Sequence, residues 1–330
     1  MKILVFRCGA FGDMLVTVPL IRHLHNQGHQ IVYVTTDRGN QVLKNNPYVT
    51  KIVQNDETVK NELLGEHMQW LMRKHHCERL IDLNESIECA ISQHPRSPNY
   101  KWPKKERLAR FNRNFYEYCF EHAKEPWDDK VDFKPELFFD KKEMEQARGY
   151  LKPGFNLLVG LSGSGNNKAW PYTMDLCNNI GATHPDVHII TVGDMKCKIL
   201  EDIETPDLKN VTYLSGEIPM RISMALTSMV QLVISPDTGL LHASGCYDTP
   251  KIGLLGHTTK EHISKHFSQD YSIEADERLA PCSPCSFMVY NPKLQCPLDA
   301  KFNTSICMSD GIQLQTVYDR FLEVYNNARL

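Results

Sequence analysis

Short apolar runs rich in β-branched residues alternate along this chain with longer segments in which apolar residues recur at helical spacing. The predicted strands are, in chain order, Lys2–Phe6, Gln30–Thr35, Arg79–Leu83, Asn156–Leu161, Val187–Val192, Leu232–Ser235 and Lys251–Leu255. A helix is predicted over Asp13–Gln27, and another over Ile312–Asn326 near the end of the chain. This alternation is typical of parallel sheets covered by helices, so the predicted fold class is α/β.

The predicted strands fall into two groups that meet near the pair Pro153-Gly154. A chain of 330 residues has room for two domains of ordinary size. We therefore predict two Rossmann-like domains, residues 1–150 and 151–330, facing each other across a cleft. The Pro-Gly pair suits a linker and equally suits an ordinary loop. The last helix is expected either to cross back onto the first domain or to pack on its own.

Composition excludes several classes of protein. A formal net charge of -3 does not suggest nucleic-acid binding, and no apolar run approaches the roughly 20 residues of a membrane span. The apolar stretch before Arg7 is too short for a signal peptide. The cysteines number 11, an odd count that suits a reducing compartment better than a disulfide framework. These features predict a soluble cytoplasmic protein.

The turn after the first strand contains two glycines and an acidic residue, Gly9, Gly12 and Asp13. Glycines allow the backbone to approach a ligand closely, and Asp13 stands at the start of a helix. A carboxylate there can accept a proton from a bound hydroxyl, or it can simply cap the helix. The glycine spacing is not that of a dinucleotide-binding fingerprint, which disfavours an oxidoreductase.

Two turns in the second half have chemistry suited to phosphate. Small residues from Ser162 to Gly165 precede Lys168, which suits a nest for phosphate oxygens with a lysine to neutralise a leaving diphosphate. A flexible solvated loop is the alternative. The second turn follows the strand that ends at Ser235, where Asp237-Thr238-Gly239 opens a helix with His242 one turn further on. His242 could contact a phosphate or satisfy a backbone carbonyl.

Taken together, these segments resemble glycosyltransferase family 9, the ADP-heptose:lipopolysaccharide heptosyltransferases. The matching elements are Gly12-Asp13 with Leu15, Thr17, Pro19 and Leu20, Lys168-Ala169-Trp170-Pro171, Ser235-Pro236-Asp237-Thr238-Gly239-Leu240-Leu241-His242-Ala243, and Thr249-Pro250-Lys251-Ile252-Gly253-Leu254-Leu255-Gly256. Their order spans nearly the whole chain. The resemblance implies a GT-B architecture, with the acceptor bound by the first domain and the nucleotide sugar by the second.

The resemblance also implies roles for individual residues. Transfer would be inverting and independent of metal, with Asp13 as the general base on the acceptor hydroxyl. Ser162, Gly163 and Lys168 would hold the donor diphosphate together with backbone groups of Thr238 and Gly239. Asp237 would contact the donor sugar, and His242 would support that loop. No cofactor is implied for the reaction.

The acceptor side is expected in the first domain, at Gly12 and at a basic stretch. Arg96, Lys101 and Lys104 belong to that stretch, with aromatic residues interleaved. It suits an anionic glycan or glycolipid acceptor, including one presented at a membrane surface, and equally suits a solvated helix face.

Four C-terminal cysteines depart from the compact cysteine segment that many family members have. They are Cys282, Cys285, Cys296 and Cys307. A structural zinc or iron site, free buried thiols and a regulatory disulfide are the alternatives.

The predicted function is therefore that of an inverting glycosyltransferase, which moves a sugar to a hydroxyl of a lipopolysaccharide or other surface glycan. The expected donor is ADP-heptose, and the expected sugar is heptose. A sugar-nucleotide 2-epimerase is an alternative enzyme, which would turn over without an acceptor. A non-catalytic nucleotide-sugar-binding protein is the third hypothesis, in which no activity would depend on Asp13.

Overall fold

The protein is described from a computed structural model, which covers residues 1–84, 102–161, 163, 165–204, 209–285 and 304–329. The described strands, in chain order, are β1 (Lys2–Phe6), β2 (Gln30–Thr35), β3 (Lys51–Gln54), β4 (Arg79–Asp82), β5 (Phe155–Gly160), β6 (Val187–Val192), β7 (Val211–Tyr213), β8 (Leu232–Pro236), β9 (Lys251–Leu255) and β10 (Ile273–Glu274). The described α-helices are α1 (Phe11–Asn26), α2 (Asp37–Leu43), α3 (Leu64–Lys74), α4 (Lys104–Phe111), α5 (Phe115–Ala123), α6 (Lys141–Arg148), α7 (Thr173–Thr183), α8 (Met195–Glu204), α9 (Met220–Leu226), α10 (Gly239–Ser244), α11 (Lys260–Ile263), α12 (Ile306–Ser309) and α13 (Leu314–Asn327).

The chain divides into two compact units. Unit 1 contains Met1–Cys89 and Phe115–Asp140, and unit 2 contains Ala90–Asn114 and Lys141–Leu330. The helix α4 thus groups with unit 2, where buried polar contacts fix the segment that follows it. The Asn114 amide donates to the carbonyls of Glu261 and His262, and the His262 ring lies 2.6 Å from the carbonyl of Phe111. The division at residue 150 stays a prediction about domains.

Unit 1 is built around a parallel sheet with the strand order β3-β2-β1-β4. Its central strand β1 pairs with β2 through Leu4 and Val32, and with β4 through Leu4 and Leu80. The apolar residues of β1 are fully buried because the strand has neighbours on both sides and helices over its faces. The helix α1 follows immediately, as the spacing of Met14, Val18 and Ile21 predicts, so the β1–α1 turn lies at the carboxyl edge of the sheet.

Unit 2 contains a longer parallel sheet with the order β10-β9-β8-β5-β6-β7. All six residues of β5 and all six of β6 are buried, which explains why both strands are mostly apolar, with Asn156, His188 and Thr191 as the polar exceptions. The C-terminal helix α13 packs on this unit, with Val317 and Phe321 fully buried and the Phe155 ring against Phe321. The last helix therefore packs on its own unit, which is one of its two predicted placements, and does not cross back onto the first.

The seven predicted strands are confirmed to within one residue at each end. Three further strands, β3, β7 and β10, lie at or near the edges of the sheets and contain four, three and two residues. Such short runs carry too few apolar positions for a periodicity, so they are defined by pairing with a neighbour rather than by their own sequence.

Candidate functional site

In unit 1, Asp13 lies in the first turn of α1, at the carboxyl end of β1. Its Oδ2 atom accepts a hydrogen bond of 2.7 Å from the backbone N–H of Ala10, the residue before the helix. The side chain keeps 28% of its surface exposed, so the carboxylate both caps the helix and remains open to a ligand. Gly12, predicted to belong to the acceptor site, is buried beside it within α1.

The position of Asp13 depends on a small residue and on a buried cation. A Cβ atom at Gly9 would lie 2.7 Å from Asp13 Oδ2, so only glycine lets the turn pass this close to the carboxylate. Arg7 is 1% exposed, and its guanidinium lies 3.6 Å from the same oxygen while donating to the carbonyl of Leu83. Sequence reasoning missed Arg7, although a charged residue directly after an apolar strand is a usable signal.

In unit 2, three charged or titratable side chains meet where β5 and β8 end. Lys168 Nζ lies 2.9 Å from Asp237 Oδ2, and His242 Nε2 lies 3.5 Å from the other oxygen, Asp237 Oδ1. Burial acts to raise the pKa of Asp237, but Lys168 and His242 outweigh it and hold that pKa well below its usual range. The cluster therefore contains an ionised carboxylate and a lysine whose side chain is 21% exposed.

Close packing of two turns creates this cluster. A Cβ atom at Gly163 would lie 2.7 Å from Lys168 Cβ and 3.2 Å from Thr238 Cγ2, so the glycine lets the turn after β5 touch the turn after β8. Trp170 then anchors the lysine segment, because its buried indole donates to the carbonyl of Ile312 at 2.8 Å. The Lys-Ala-Trp-Pro element thus contains one partly exposed functional group, Lys168, and one structural anchor, Trp170.

Thr238 is the N-cap residue of the helix α10. Its hydroxyl accepts a hydrogen bond from the backbone of Leu240 and lies 2.9 Å from the hydroxyl of Ser235. His242 lies within the same helix, α10, and is 4% exposed. Gly239 is the first residue of this helix. The predicted donor-site residues of the described chain all follow the ends of β5 and β8; they are Gly163, Lys168, Asp237, Thr238, Gly239 and His242.

Two further residues of unit 2, His257 and Thr258, follow the end of β9 and were missed by sequence reasoning. They are 3% and 1% exposed, and within the described part of the chain neither His257 Nε2 nor Thr258 Oγ1 has a hydrogen-bond partner. Burial, with the nearby Lys168 charge, lowers the pKa of His257 to about 3. The ring is therefore neutral at pH 7. A Gly-His-Thr sequence after a buried strand does not by itself indicate a functional site, and it gains meaning only from the residues that lie near it in the structure.

We expect His257→Gln to reduce the loss of stability on acidification. In the unfolded chain the His257 ring takes up a proton near pH 6.5. In the folded protein its pKa is lowered to about 3, so it stays neutral there. The free energy of unfolding therefore falls as the pH drops below 6.5. Between pH 7 and pH 5 this loss amounts to about 2 kcal/mol for one such histidine. Urea unfolding at both pH values measures it, and equal losses in wild type and variant would contradict the buried neutral histidine.

The predicted acceptor residues are placed only in part. Lys104 lies in unit 2, where its ammonium group pairs with Glu277 at 2.7 Å and donates to the carbonyls of Pro281 and Ser283. Arg96 and Lys101 lie outside the described residues, as does Ser162 of the donor site. These roles stay predictions.

The cysteine prediction is also tested only in part, because Cys296 lies outside the described residues. Cys282 and Cys285 are half-buried and Cys307 is buried. Within the described ranges, no three histidine, cysteine or acidic side chains come together as a metal site requires. A site built from all four cysteines stays a prediction. None of the described helices is long and apolar enough to cross a lipid bilayer.

Each unit is a parallel α/β layer whose polar side chains gather at the carboxyl ends of the strands, the edge at which open α/β sheets bind nucleotides and related ligands. The two units therefore place the protein in the class of Rossmann-like α/β proteins. The sequence model described as "Glycosyltransferase family 9 (heptosyltransferase)" matches residues 71–287. The chain therefore belongs to glycosyltransferase family 9. A search of curated proteins found no match.

Solved structures of this family share the fold. The ADP-heptose lipopolysaccharide heptosyltransferase II of E. coli is 16% identical with a TM-score of 0.69, and each chain is covered completely. The E. coli heptosyltransferase WaaC, solved with ADP-2-deoxy-2-fluoro heptose, is 14% identical with a TM-score of 0.54, over 84% of this chain and 94% of WaaC. The iron-containing dodecameric glycosyltransferase TibC of enterotoxigenic E. coli is 10% identical with a TM-score of 0.62, over 99% of this chain and 76% of TibC.

The fold class is thus mixed α/β of the GT-B type, with two Rossmann-like units, as predicted. The family membership predicted from the four sequence elements is confirmed. At these identities the solved structures support the fold and not the substrate.

Proposed function

We propose that this protein is an inverting, metal-independent glycosyltransferase that transfers heptose from ADP-heptose to a hydroxyl of a lipopolysaccharide or related surface glycan. The observation that carries the donor side is the 2.9 Å ion pair between Lys168 and Asp237 at the ends of β5 and β8. An ammonium group that is only partly exposed there would stabilise the negative charge that develops on a departing diphosphate. This charge needs a fixed cation, and Lys168 supplies one without a metal ion.

The donor assignment also has support from the family. Heptosyltransferase II is described by its donor, ADP-heptose, and WaaC was solved with a fluorinated ADP-heptose. On this chain the diphosphate would lie against Gly163 and Lys168, with Ser162 and the backbone of Thr238 and Gly239 completing its contacts. Asp237, kept ionised, would accept hydrogen bonds from sugar hydroxyls, and His242 would hold its second oxygen.

The acceptor side would be activated by Asp13. Inversion requires a single displacement at the anomeric carbon, in which the acceptor oxygen forms the new bond while the bond to the diphosphate breaks. The proton of the acceptor hydroxyl passes to a general base, and Asp13 is a partly exposed carboxylate that Arg7 and the Ala10 N–H hold in one orientation. An anionic glycan or glycolipid would be attracted to the basic residues around Lys104, with Gly12, Arg96 and Lys101 as further acceptor contacts.

Calorimetric titration of the protein with ADP-heptose, GDP-mannose and UDP-glucose tests the donor. We expect ADP-heptose to bind at least about tenfold more tightly than the other two, a difference of about 1.4 kcal/mol. Preference for another nucleotide sugar would contradict ADP-heptose as the donor, but it would not contradict the assignment as a glycosyltransferase. A cytoplasmic location, predicted from the sequence, is tested separately by fractionation of cells that express the protein.

The two other hypotheses give different results in a turnover assay. A transferase releases ADP from ADP-heptose quickly only when a heptose-deficient lipopolysaccharide is added, and the product linkage has the anomeric configuration opposite to the donor. A 2-epimerase would change the donor sugar without any acceptor. A non-catalytic binding protein would bind the donor and do neither.

A further inference from the structure

The helix α8 of unit 2 presents an apolar stripe to solvent. The stripe consists of Met195, Ile199 and Ile203, which are 61%, 59% and 77% exposed. In the part of the chain that the structure describes, these are the three most exposed large apolar side chains. Because they are four residues apart, they follow one face of the helix over about 12 Å. Apolar side chains grouped in this way, unlike scattered ones, are typical of an interaction surface.

The opposite face of α8 explains why the stripe points outward. Cys197 and Glu201 lie on that face and are buried. The Glu201 carboxyl group accepts hydrogen bonds from the hydroxyls of Thr191 and Ser215, each 2.6 Å long. A rotation of the helix that buried the stripe in unit 2 would break both bonds. The polar contacts therefore fix the helix with its apolar stripe exposed.

The charges beside the stripe have an unusual order along the helix. Lys196 lies near the start of α8 and Asp202 near its end, and both are exposed. The first turn contains no acidic residue and the last turn no basic one, which is the reverse of the order that stabilises an isolated helix. A second lysine, Lys198, is paired with Glu217 at 2.6 Å. Lys196 and Asp202 are thus the charges placed to meet a partner.

The pattern is symmetric about Ile199. Met195 and Ile203 are four residues before and after it, and Lys196 and Asp202 are three residues before and after it. If two copies of α8 pack antiparallel around a two-fold axis through Ile199, each Met195 meets the partner's Ile203. Each Lys196 then lies opposite the partner's Asp202, on the same side of the stripe. Packed helices have axes about 8–10 Å apart, which leaves these charges within reach of each other.

We propose that the stripe of Met195, Ile199 and Ile203 is the interface through which two copies of this chain form a two-fold symmetric dimer. Lys196 of each copy pairs with the partner's Asp202 at the two sides of this interface. A second copy is the partner that fits, because one helix supplies both the apolar surface and the two complementary charges. An anionic lipid surface would be attracted to cations, and it would be repelled by Asp202.

The proposed dimer is expected to be weak. One helix from each copy contributes less area than a standard interface, so we expect a dissociation constant of about 1–100 µM. The proposal does not depend on the proposed function, because the interface requires neither a donor nor an acceptor.

Sedimentation equilibrium of the full chain, over about 1–200 µM, measures the association. We expect Ile203→Ser to raise the dissociation constant at least about tenfold, because the two-fold axis places the change in the interface twice. Leu279→Ser is the matched control. Leu279 is a 46% exposed apolar residue of unit 2 outside α8, and this variant should associate as the wild type does.

Reversal of the flanking charges tests the antiparallel register. Lys196→Glu alone and Asp202→Lys alone each place like charges opposite each other at both sides, so each should raise the dissociation constant at least about tenfold. An equal mixture of the two single variants should recover dimers, because both contacts in a mixed dimer again join opposite charges. The double variant Lys196→Glu/Asp202→Lys should also associate as the wild type does.

A wild-type protein that stays monomeric over the whole concentration range would overturn the interface, whatever else then binds the stripe. Dimerisation that Ile203→Ser leaves unchanged would overturn it as well. If neither the mixture nor the double variant recovers dimers, the antiparallel two-fold arrangement is wrong. Donor binding and sugar transfer are measured separately, so each of these results leaves the proposed function unaffected.

Discussion

Asp13→Asn is expected to lower the rate of sugar transfer by at least about 10³-fold while donor affinity stays within a few-fold of wild type. The amide keeps an oxygen that can accept the Ala10 N–H, so the start of α1 should remain intact. It cannot take the proton of the acceptor hydroxyl, and the reaction loses its base. Single-turnover transfer with ADP-heptose and a heptose-deficient lipopolysaccharide measures the rate, and calorimetry measures the donor affinity.

Asp37→Asn is the matched control for this variant. Asp37 also lies in the first turn of a helix of unit 1, where its side chain accepts a hydrogen bond from Gln41. The same chemical change there should leave the transfer rate unaltered. A parallel loss of rate and donor affinity in Asp13→Asn would indicate damage to the fold or to the donor site, and it would contradict the role of Asp13 as the general base. A preserved rate would assign Asp13 to helix capping alone.

The second large effect is expected for Lys168→Met, which keeps much of the side-chain stem and removes the charge. Donor affinity should fall about 10- to 100-fold, because the diphosphate loses its fixed cation. The free energy of unfolding should also fall, by about 2 kcal/mol, because the buried Asp237 carboxylate loses its lysine partner and keeps only His242 beside it. Titration with ADP-heptose and with ADP should show similar losses, since both ligands contain the diphosphate.

The double variant Lys168→Met/Asp237→Asn separates the two consequences. Removing the carboxylate charge as well should restore most of the stability, because no unpaired charge then remains, but it should not restore donor binding. Lys265→Met is the control, since Lys265 forms a 2.7 Å ion pair with Glu261 in which the two side chains are 38% and 37% exposed, and such a surface pair contributes little stability. Unchanged donor affinity in Lys168→Met would remove the lysine from the diphosphate site.

Much of the fold could be predicted from the sequence because its central strands are buried on both faces. The strands β5, β6 and β8 are mostly apolar and buried along their whole length, as expected in a parallel sheet covered by helices. The edge strands β3, β7 and β10 could not be predicted in this way, because they are short and gain their structure from the strand beside them. The segment around α4 contacts residues far away in sequence within unit 2, through side chains such as Asn114 and Arg107, and no local pattern encodes such contacts.

Some residues of the candidate site could likewise be predicted from the sequence, and others could not. Asp13, Lys168 and Asp237 are recognisable in sequence because each follows a predicted strand with glycines or a helix start beside it. Arg7, His257 and Thr258 have no comparable local pattern, and their interest comes from burial and from what lies near them in space. The distance of 2.9 Å between Lys168 and Asp237 joins residues 69 positions apart, which no local spacing encodes.

The sequence by itself determined the α/β class, the family and the turns that carry chemistry, because strand burial, glycine placement and helix starts are local properties of the chain. Only the tertiary structure decided that the turn after β5 meets the turn after β8 and that the last helix packs on unit 2. These features depend on contacts between distant segments, and packing of the whole sheet fixes them.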